Sequence, residues 1–240
     1  MFVWSDQVVF VTGAARGLGL EIVRQIAERG GHVIGADIRH SLLLQTLEEW
    51  APELREKISP IDLDVSGEAA VIGAVKETIE KWGRIDGLVN NAGVRIVNPV
   101  WNLSTRDWDR VQAVNLKAQF LLTREVLKQS MRPRNQGRLI FISSLAGVRG
   151  VPRGAAYASS KWGIRGLAAS IAKDLKDTKI SVTCLLPGML LTPMARESEV
   201  WELGLDWMDP ASCARLVVFC MEQDPDTAIP EVIIHNRSQI

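Results

Sequence analysis

Short apolar runs alternate with longer amphipathic segments along the whole chain. The apolar runs are continuous, which is typical of strands buried on both faces of a parallel sheet. They are QVVFVTG (7–13), HVIGAD (32–37), ISPIDLD (58–64), IDGLVNNAG (85–93), GRLIFISS (137–144), KISVTCLLPG (179–188) and PEVIIHN (230–236). Helical spacing predicts helices over residues 18–30, 41–50, 67–83, 104–130, 155–176 and 210–222. The alternation predicts an α/β fold with a doubly wound parallel sheet of about seven strands and helices on both faces.

Several predicted helices carry their own boundary signals. Gly30 closes the first helix, Ser66 is a candidate cap of the third, and Ser104 or Thr105 stands near the start of the fourth. The chain has no internal repeat, low-complexity tract or Pro/Ser-rich linker, and its composition does not shift along its length. We therefore expect residues 1–240 to form a single domain.

Candidate chemistry collects where the predicted strands end. Ligands of such sheets bind outside the carboxyl ends of the strands. The residues expected at that edge are Thr12–Gly19, Asp37, Asp62–Val65, Asn90–Val94, Ser143–Ser144 and Pro187–Gly188. The Asn90–Gly93 stretch, NNAG, suits a tight bend beside an adenosine, although by itself it is more readily an ordinary Asn-rich turn.

The first of these turns, TGAARGLG, holds Gly13, Gly17 and Gly19 between a strand and a helix. Glycine serves where φ is positive or where the backbone approaches a ligand closely. The helix start also directs free N–H groups at a pyrophosphate. The spacing is GxxxGxG and not the GxGxxG of the standard fingerprint, and a plain strand–helix turn is the alternative. The flanking strand and helix and an acid downstream favour the dinucleotide site of a Rossmann-type sheet.

That acid is Asp37, at the end of the second strand. A carboxylate there accepts both hydroxyls of an adenosine ribose and repels a 2′-phosphate, which favours NAD. Arg16 and Arg39 favour the other cofactor, because either guanidinium is able to pair with a 2′-phosphate. We expect NAD, with NADP less favoured, because Asp37 holds the discriminating position.

Tyr157 is the only tyrosine of the chain, and Lys161 follows four residues later on a predicted helix. Both side chains therefore point from one helix face. A phenol titrates near 10 in water, and a nearby ammonium group lowers that pKa toward the range of a useful base. A Tyr–Lys pair at this spacing also arises by chance on a solvated helix face.

Two further polar residues, Ser144 and Asn115, favour a catalytic role for the Tyr–Lys pair. Ser144, at the end of the fifth strand, is placed to bind a substrate oxygen, with Ser143 as the competing residue. Asn115 lies inside a predicted helix, where Asn is a poor helix former. A local disruption at Asn115 would hold a water, or else the residue is simply exposed.

Composition excludes several function classes. Lys plus Arg equals Asp plus Glu at 28 each, so the formal net charge is zero. This argues against a nucleic-acid or membrane surface as the main partner, and leaves self-association plausible. Cys184, Cys213 and Cys220 lack CxxC pairing, which favours reduced core thiols, a cytoplasmic location and no metal site. The N-terminal stretch has no signal-peptide pattern, and no apolar run is long enough to span a bilayer.

At this point the chain resembles the short-chain dehydrogenase/reductase family. The segments TGAARGLG, DLDVS, NNAG, VNL, ISS, YASSK and PGMLLTPM occur in the order and at the spacing of that family, over nearly the whole chain. The family places its catalytic serine thirteen residues before the tyrosine, and this selects Ser144 over Ser143. The resemblance implies Tyr157 as general acid/base, Lys161 as the cation that lowers its pKa and binds the nicotinamide ribose, and Asn115 in a water-linked proton relay.

The resemblance also implies the cofactor contacts. The phosphate turn is Gly13, Arg16, Gly17, Leu18 and Gly19. Asp37 takes the adenosine ribose, Asp64 and Val65 flank the adenine, and Asn91, Ala92 and Gly93 lie along the same channel. Pro187, Gly188, Leu190 and Thr192 are expected to hold the nicotinamide carboxamide, beside Tyr157 and Lys161.

Two departures limit what the resemblance implies. The glycine-rich DGG segment that often precedes the last strand in this family is absent here, which puts the usual C-terminal packing in doubt. The segment expected to cover the substrate, near residues 189–209, is short. Its Met189, Met194, Trp201, Trp207 and Met208 line an apolar pocket in one interpretation and pack on the protein body in another. Arg95, Arg149 and Arg153 are candidates for an anionic substrate group, or are simply solvated.

The leading hypothesis is an oxidoreductase that transfers a hydride between NAD(H) and a secondary alcohol or ketone. The alternatives are an NADPH-dependent carbonyl reductase and a sensor or scaffold that binds NAD(P) without turnover. The expected partner is a small alcohol or carbonyl compound. By resemblance we also expect a homodimer or homotetramer, formed through the helices at 104–130 and 155–176.

Overall fold

A computed structural model describes residues 3–197 and 206–239. These residues form a seven-stranded, all-parallel sheet with the order β3-β2-β1-β4-β5-β6-β7. The strands are β1 (Val8–Thr12), β2 (His32–Asp37), β3 (Ile58–Asp62), β4 (Gly87–Asn90), β5 (Gly137–Ile142), β6 (Ile180–Pro187) and β7 (Glu231–Ile234). The doubly wound sheet of about seven strands is thereby confirmed. Strand order reverses between β1 and β4, which is where ligands of such sheets bind.

The helices cover both faces of the sheet. They are α1 (Gly17–Glu28), α2 (His40–Glu48), α3 (Pro52–Arg55), α4 (Glu68–Trp82), α5 (Thr105–Gln112), α6 (Ala118–Val126), α7 (Arg132–Arg134), α8 (Ala155–Asp174), α9 (Pro193–Arg196) and α10 (Pro210–Glu222). Helices α1, α2 and α10 bury their apolar stripes in one core, and α4, α6 and α8 bury theirs in another. Within the described ranges, no helix combines the length and apolar character that a membrane crossing requires.

The central strand β1 shows why its sequence is continuously apolar. Val9 and Val11 point into the first core, whereas Val8 and Phe10 point into the second. Because every position faces a helix layer, the strand has no solvated side and no polar alternation. The carboxyl end of β1 is thereby held in the middle of the molecule, next to the carboxyl end of β4.

The long helix predicted over 104–130 is interrupted in its regular geometry. Helices α5, α6 and α7 run on continuously through two π-helical stretches, Ala113–Lys117 and Leu127–Met131. The first stretch contains Asn115, at the position where the sequence indicated a local disruption. π-Helical turns inside α-helices are frequent at functional sites.

The starts of α5 and α4 test the predicted helix caps: Ser104, and not Thr105, caps α5, and the prediction of Ser66 as a cap is wrong. Ser104 is the N-cap of α5, because its hydroxyl accepts a hydrogen bond from the Asp107 N–H. Ser66 does not cap α4, whose N-cap is Gly67. The Ser66 backbone N–H and hydroxyl bind the Asp64 carboxylate instead, which ties them into the turn after β3.

Candidate active site

The glycine turn after β1 has the backbone shape that its sequence indicated. Gly13 and Gly17 adopt left-handed φ angles of 68° and 59°. A methyl group on Gly19 would lie 2.0 Å from the Gly13 carbonyl oxygen, so α1 starts in direct contact with the turn. No side chain in the described part of the chain caps α1, whose N-cap residue is Arg16. Its first N–H groups are therefore available to an anion.

Asp37 is a buried carboxylate that joins this turn to the end of β2. Its Oδ2 accepts a hydrogen bond of 2.9 Å from the Ala15 N–H, and its Oδ1 accepts one of 2.8 Å from the Arg39 N–H. Each oxygen keeps a further lone pair for an additional donor. Asp37 thereby fixes the backbone beside both Arg16 and Arg39.

The ends of β1 and β4 are joined by side-chain hydrogen bonds at the point where strand order reverses. The Thr12 hydroxyl donates to the Val89 carbonyl and accepts from the backbone N–H groups of Asn91 and Ala92. The Asn91 side-chain amide donates to the Thr12 carbonyl at 2.8 Å and to the Gly13 carbonyl at 3.2 Å. These bonds hold the glycine turn against the NNAG bend.

The turn after β3 lies at the same edge of the sheet. Val65 is buried in the second core, and Asp64 is exposed beside it. One Asp64 oxygen is already used by Ser66. The Asp64 carboxylate therefore lies at the surface of this edge, and the buried Val65 side chain anchors the turn in the second core.

Ser144, Tyr157 and Lys161 converge at the end of β5. The Tyr157 phenol is hydrogen-bonded to Ser144, whose Oγ also accepts from the Ala146 N–H at 3.2 Å. The Lys161 ammonium lies 5.6 Å from the centroid of the Tyr157 ring and donates to the Ile142 carbonyl at 2.8 Å. Helix α8 therefore places both side chains on one face, at the edge that carries the glycine turn.

Ser143 has a different environment from its neighbour. It is buried, and its hydroxyl donates to the Lys161 carbonyl at 2.9 Å while its backbone N–H binds the Leu185 carbonyl. Alternation along the strand end turns Ser143 into the protein and Ser144 toward Tyr157. The geometry thus separates the two serines as the motif spacing did.

Burial controls the titration of the Tyr–Lys pair. Desolvation raises the pKa of the Tyr157 phenol, and the Ser144 hydrogen bond and the Arg95 charge oppose it. Burial lowers the pKa of Lys161 to about 8. The Lys161 ammonium, near the phenol ring, also donates to the Ile142 carbonyl. The role of Lys161 in lowering the phenol pKa stays a prediction.

Asn115 is fully buried and all of its amide hydrogen-bonding groups are engaged. Its Oδ1 accepts from the Val94 N–H at 2.8 Å, and its Nδ2 donates to the Val94 carbonyl and to the Ser160 hydroxyl, each at 3.0 Å. The π-helical stretch turns this side chain toward the loop after β4. A methyl on Gly93 would lie 3.4 Å from Asn115 Oδ1 and 3.9 Å from Lys161 Nζ, so Gly93 lies close to both polar groups.

The segment after β6 crosses in front of the glycine turn. Gly188 binds the Ile234 carbonyl, and the Leu190 side chain packs on the first core. Thr192 stands against the turn, because a methyl on Gly17 would lie 3.3 Å from its side chain. Pro187 is the last residue of β6 and brings these positions to the carboxyl edge.

The predicted substrate residues are only partly brought together. The backbone of Met208 pairs with Met189 and Leu191, which folds residues 206–208 back on the segment after β6. Met189, Met194 and Trp207 are half-buried there, and Trp201 lies outside the described residues. The charge of Arg95 lowers the pKa of the Tyr157 phenol, whereas Arg149 and Arg153 are exposed. Arg153 has a left-handed φ of 56°.

These features fit a dinucleotide. The left-handed turn, the uncapped start of α1 and the carboxylate at the end of β2 surround one continuous edge. Together they offer N–H groups for a pyrophosphate and an acceptor for a ribose, which is what such a ligand requires. No group of three or more His, Cys, Asp or Glu side chains within 3–197 and 206–239 is arranged to hold a metal ion.

Sequence reasoning missed three participants. Thr12 was named only as the start of a turn, although its hydroxyl joins β1 to NNAG. Ser160 was not named, although its hydroxyl accepts a hydrogen bond from the Asn115 side-chain amide. Glu197 was not named, although its carboxylate forms an ion pair with Arg16 at 2.6 Å. Thr12 and Ser160 lie inside family motifs, TGAARGLG and YASSK, whereas Glu197 lies in none of them.

Comparison with known proteins agrees with this architecture. A family model for short chain dehydrogenases matches residues 7–203. The chain is 36% identical over 193 residues to a cyclopentanol dehydrogenase from Comamonas sp. (strain NCIMB 9872), which covers 80% of this chain and 76% of that protein. It is 33% identical over 237 residues to the 3-oxoacyl-(acyl-carrier-protein) reductase FabG of Thermotoga maritima, covering 95% and 96%.

The fold has similar solved structures. A closed form of serine dehydrogenase complexed with NADP+ matches with a TM-score of 0.90 at 27% identity, covering 98% of this chain and 96% of that one. The family match spans most of the chain, and relatives above 30% identity extend across it. The chain therefore belongs to the short-chain dehydrogenase/reductase family of oxidoreductases.

Proposed function

We propose that this protein transfers a hydride between NAD(H) and a secondary alcohol or ketone, with Tyr157 as the general acid/base. The observation that carries the proposal is the Tyr157 phenol, hydrogen-bonded to Ser144 beside a buried Lys161, at the sheet edge that also holds the glycine turn. The phenol and the hydroxyl provide a proton donor and an oxygen ligand, and the ammonium group near the phenol ring provides a positive charge.

The chain's own residues supply orientation and proton transfer. Ser144 and Tyr157 bind the substrate oxygen together, so the oxygen is held where its proton is exchanged with the phenol. Lys161 provides the positive charge behind the phenol and binds the nicotinamide ribose. Asn115 fixes the Val94 backbone and acts as a positioning residue for a water-linked proton relay. The nicotinamide, when bound, supplies the hydride chemistry.

The cofactor contacts follow from the edge of the sheet. We propose that the pyrophosphate is bound by Gly13, Arg16, Gly17, Leu18 and Gly19, the adenosine by Asp37, Asp64, Val65, Asn91, Ala92 and Gly93, and the nicotinamide by Tyr157, Lys161, Pro187, Gly188, Leu190 and Thr192. Support comes from the backbone shape of the turn and from the hydrogen bonds that join it to Asp37 and Asn91.

NAD is the proposed cofactor, and NADPH-dependent carbonyl reduction is the second candidate. Asp37 supports NAD, because its carboxylate lies buried at the end of β2 beside the glycine turn. The serine dehydrogenase that resembles this chain is complexed with NADP+, which favours the second candidate. Arg16 and Arg39 stand close to Asp37 and would be the ligands of a 2′-phosphate.

An anionic group on the substrate is an extension of this proposal. Arg95 follows Val94, whose backbone N–H and carbonyl are both fixed by Asn115. Its charge acts on the Tyr157 phenol and lowers the pKa of that group. We propose Arg95 as the guanidinium nearest the substrate oxygen, and the exposed Arg149 as a solvated residue.

The test of this function is a panel of secondary alcohols with NAD+ and NADP+, read by formation of the reduced cofactor. Each neutral alcohol is paired with a carboxylated analogue of similar size. We expect turnover with NAD+, and a higher kcat/KM for the carboxylated member that falls in Arg95→Gln and is kept in Arg149→Gln. Equal kcat/KM for both members would remove the anion proposal alone.

Cofactor binding separates the remaining candidates. The eight tryptophans of the chain give a fluorescence signal for titration with NADH and NADPH. Tighter binding of NADPH would contradict the NAD assignment. Binding of either cofactor without turnover of any alcohol or ketone would favour the sensor or scaffold hypothesis.

We propose that the protein is a homodimer or homotetramer through the long helix and α8. The groove between them is lined by Ala113, Leu116, Phe120, Gly163 and Leu167, and Phe120 and Trp162 expose 43% and 48% of their surfaces. Large apolar side chains grouped in this way mark association surfaces.

This assembly gives a measurable expectation. Phe120→Glu combined with Trp162→Glu should convert the oligomer to monomer in sedimentation velocity, because two charges would be buried at the interface. Leu44→Glu, at a position on α2 that is 41% exposed, is the matched control and should leave the oligomer intact. A wild-type monomer, or a charged double variant that stays oligomeric, would contradict this interface.

A further inference from the structure

One ion pair ties the substrate-covering segment to the glycine turn. Glu197 follows α9, and its two carboxylate oxygens accept from the two terminal nitrogens of Arg16 at 2.6 and 3.3 Å. This is the paired geometry that a guanidinium forms with a carboxylate or a phosphate. The Arg16 side chain is 26% exposed and that of Glu197 is 61% exposed, so the pair is partly open to solvent at the edge that carries the glycine turn.

A second guanidinium acts on the same carboxylate. The pKa of Glu197 is lowered first by the Arg16 hydrogen bond, and the charge of Arg39 lowers it further. Asp37 binds the backbone N–H groups of Ala15 and Arg39, so the backbone segments that carry Arg16 and Arg39 lie next to each other. Glu197 thus lies in the combined field of Arg16 and Arg39.

These are the two arginines that a 2′-phosphate on the adenosine ribose would use. The ribose is expected at Asp37, the residue that positions both of them. The Glu197 carboxylate has the same charge sign as such a phosphate and, like it, presents two oxygens to a guanidinium. Glu197 therefore occupies Arg16 as an anion supplied by the chain itself, within reach of the charge of Arg39.

We propose that Glu197 is a specificity-determining residue that competes with the adenosine 2′-phosphate for Arg16 and Arg39. A 2′-phosphorylated nucleotide has to displace Glu197, whereas one with a free 2′-hydroxyl leaves the ion pair in place. Selection against the phosphate then has two sources, the Asp37 carboxylate and Glu197. It also links nucleotide choice to the segment after β6, because the displaced residue belongs to that segment. This inference rests on the proposed nucleotide site and deepens it.

Solvent exposure of Glu197 limits how strongly it weakens binding of the 2′-phosphorylated nucleotide. The Glu197 side chain is 61% exposed, and exposed ion pairs contribute little net free energy. Removing the competing charge is therefore expected to change affinity for the phosphorylated nucleotide by about threefold to tenfold. The change should diminish at high salt, because partly exposed charges are screened.

The test uses two nucleotides that differ only in the phosphate, adenosine 2′,5′-bisphosphate and 5′-AMP. Their Kd values are measured by calorimetry for the wild type, Glu197→Gln, Arg16→Gln and the double variant. We expect Glu197→Gln to tighten the bisphosphate about threefold to tenfold and to leave 5′-AMP within about twofold. In the Arg16→Gln background the Glu197 change should have a much smaller effect, because its hydrogen-bonded partner is gone and only the charge of Arg39 remains.

The matched control is Glu80→Gln, which removes the same charge from an exposed pair with Lys76 on α4. It should change neither Kd. Equal tightening of both nucleotides by Glu197→Gln, or an unchanged bisphosphate Kd, would overturn the competition. So would a Glu80→Gln effect as large as that of Glu197→Gln, because it would reflect net charge alone.

Alcohol turnover and nucleotide binding together distinguish a failure of the proposed function from a failure of the proposed role of Glu197. A wild type that binds both nucleotides but oxidises no alcohol would remove the proposed reaction and leave the Glu197 ratio as measured. Normal turnover with an unchanged ratio in Glu197→Gln would remove only the role of Glu197. A wild type that binds neither nucleotide would overturn the site and the competition together.

Discussion

Tyr157→Phe is expected to lower kcat about a thousandfold while the Kd for NADH stays within about twofold, because general acid/base groups contribute about 10²–10⁴ in rate. The ring of Tyr157 remains to fill its place, and only the oxygen that is hydrogen-bonded to Ser144 is lost. Steady-state rates give kcat, and tryptophan fluorescence gives the Kd. Unchanged thermal unfolding would show that the loss is chemical.

The neighbouring serines provide the matched control. Ser144→Ala should reduce kcat because it removes the hydroxyl that faces Tyr157. Ser143→Ala should instead lower the free energy of unfolding by about 1 kcal/mol, since it removes a buried hydrogen bond to the Lys161 carbonyl. If Ser143→Ala cost more kcat than Ser144→Ala, the assignment of the two serines would be wrong.

The phenol can be titrated directly because Tyr157 is the only tyrosine. Burial raises the pKa of this phenol, and a positive nicotinamide ring beside it should lower that pKa again. The near-ultraviolet absorbance of the phenolate, followed against pH with and without NAD+, measures both values. A pKa that NAD+ does not lower, or full activity in Tyr157→Phe, would contradict the acid/base role.

The sequence predicts the parts of this molecule whose signals are local. The apolar run of β1 requires a core on both sides, and the cores built around Val9 and Phe10 meet that requirement. The glycines at 13 and 17 predict left-handed backbone, which both of them adopt. The poor helix propensity of Asn115 predicts a disturbance, and a π-helical stretch is found there. In each case residues near one another in the chain carry the information.

The rest depends on contacts between distant residues. Arg16 and Glu197 are 181 positions apart, and only the folded chain brings the segment after β6 onto the glycine turn. The same is true of Arg95, whose charge reaches Tyr157 across the edge of the sheet. Spacing along the helix predicts that Lys161 lies near the phenol, and its ammonium is 5.6 Å from the centroid of the Tyr157 ring. The folded chain directs the Lys161 ammonium to the Ile142 carbonyl, an acceptor that helix periodicity does not reveal.

Gly19→Ala is expected to lower the free energy of unfolding by about 3 kcal/mol and to weaken NADH binding strongly. The added methyl would lie 2.0 Å from the Gly13 carbonyl oxygen and 2.6 Å from the Asn91 side-chain nitrogen. Neither distance is compatible with a non-bonded contact, so α1 or the turn must shift. Because the turn is held by Asn91 and Thr12, the shift would disturb the same N–H groups that are proposed to bind the pyrophosphate.

Gly73→Ala is the matched control for this substitution. Gly73 also lies within a helix, α4, but a methyl there would meet nothing within 4 Å. Alanine has a higher helix propensity than glycine, so this variant should gain about 0.5–1 kcal/mol in the free energy of unfolding and bind NADH normally. Chemical denaturation and fluorescence titration measure both quantities. Since both changes add one methyl to a helix, a Gly19→Ala variant as stable as Gly73→Ala would mean that α1 does not start in close contact with the turn.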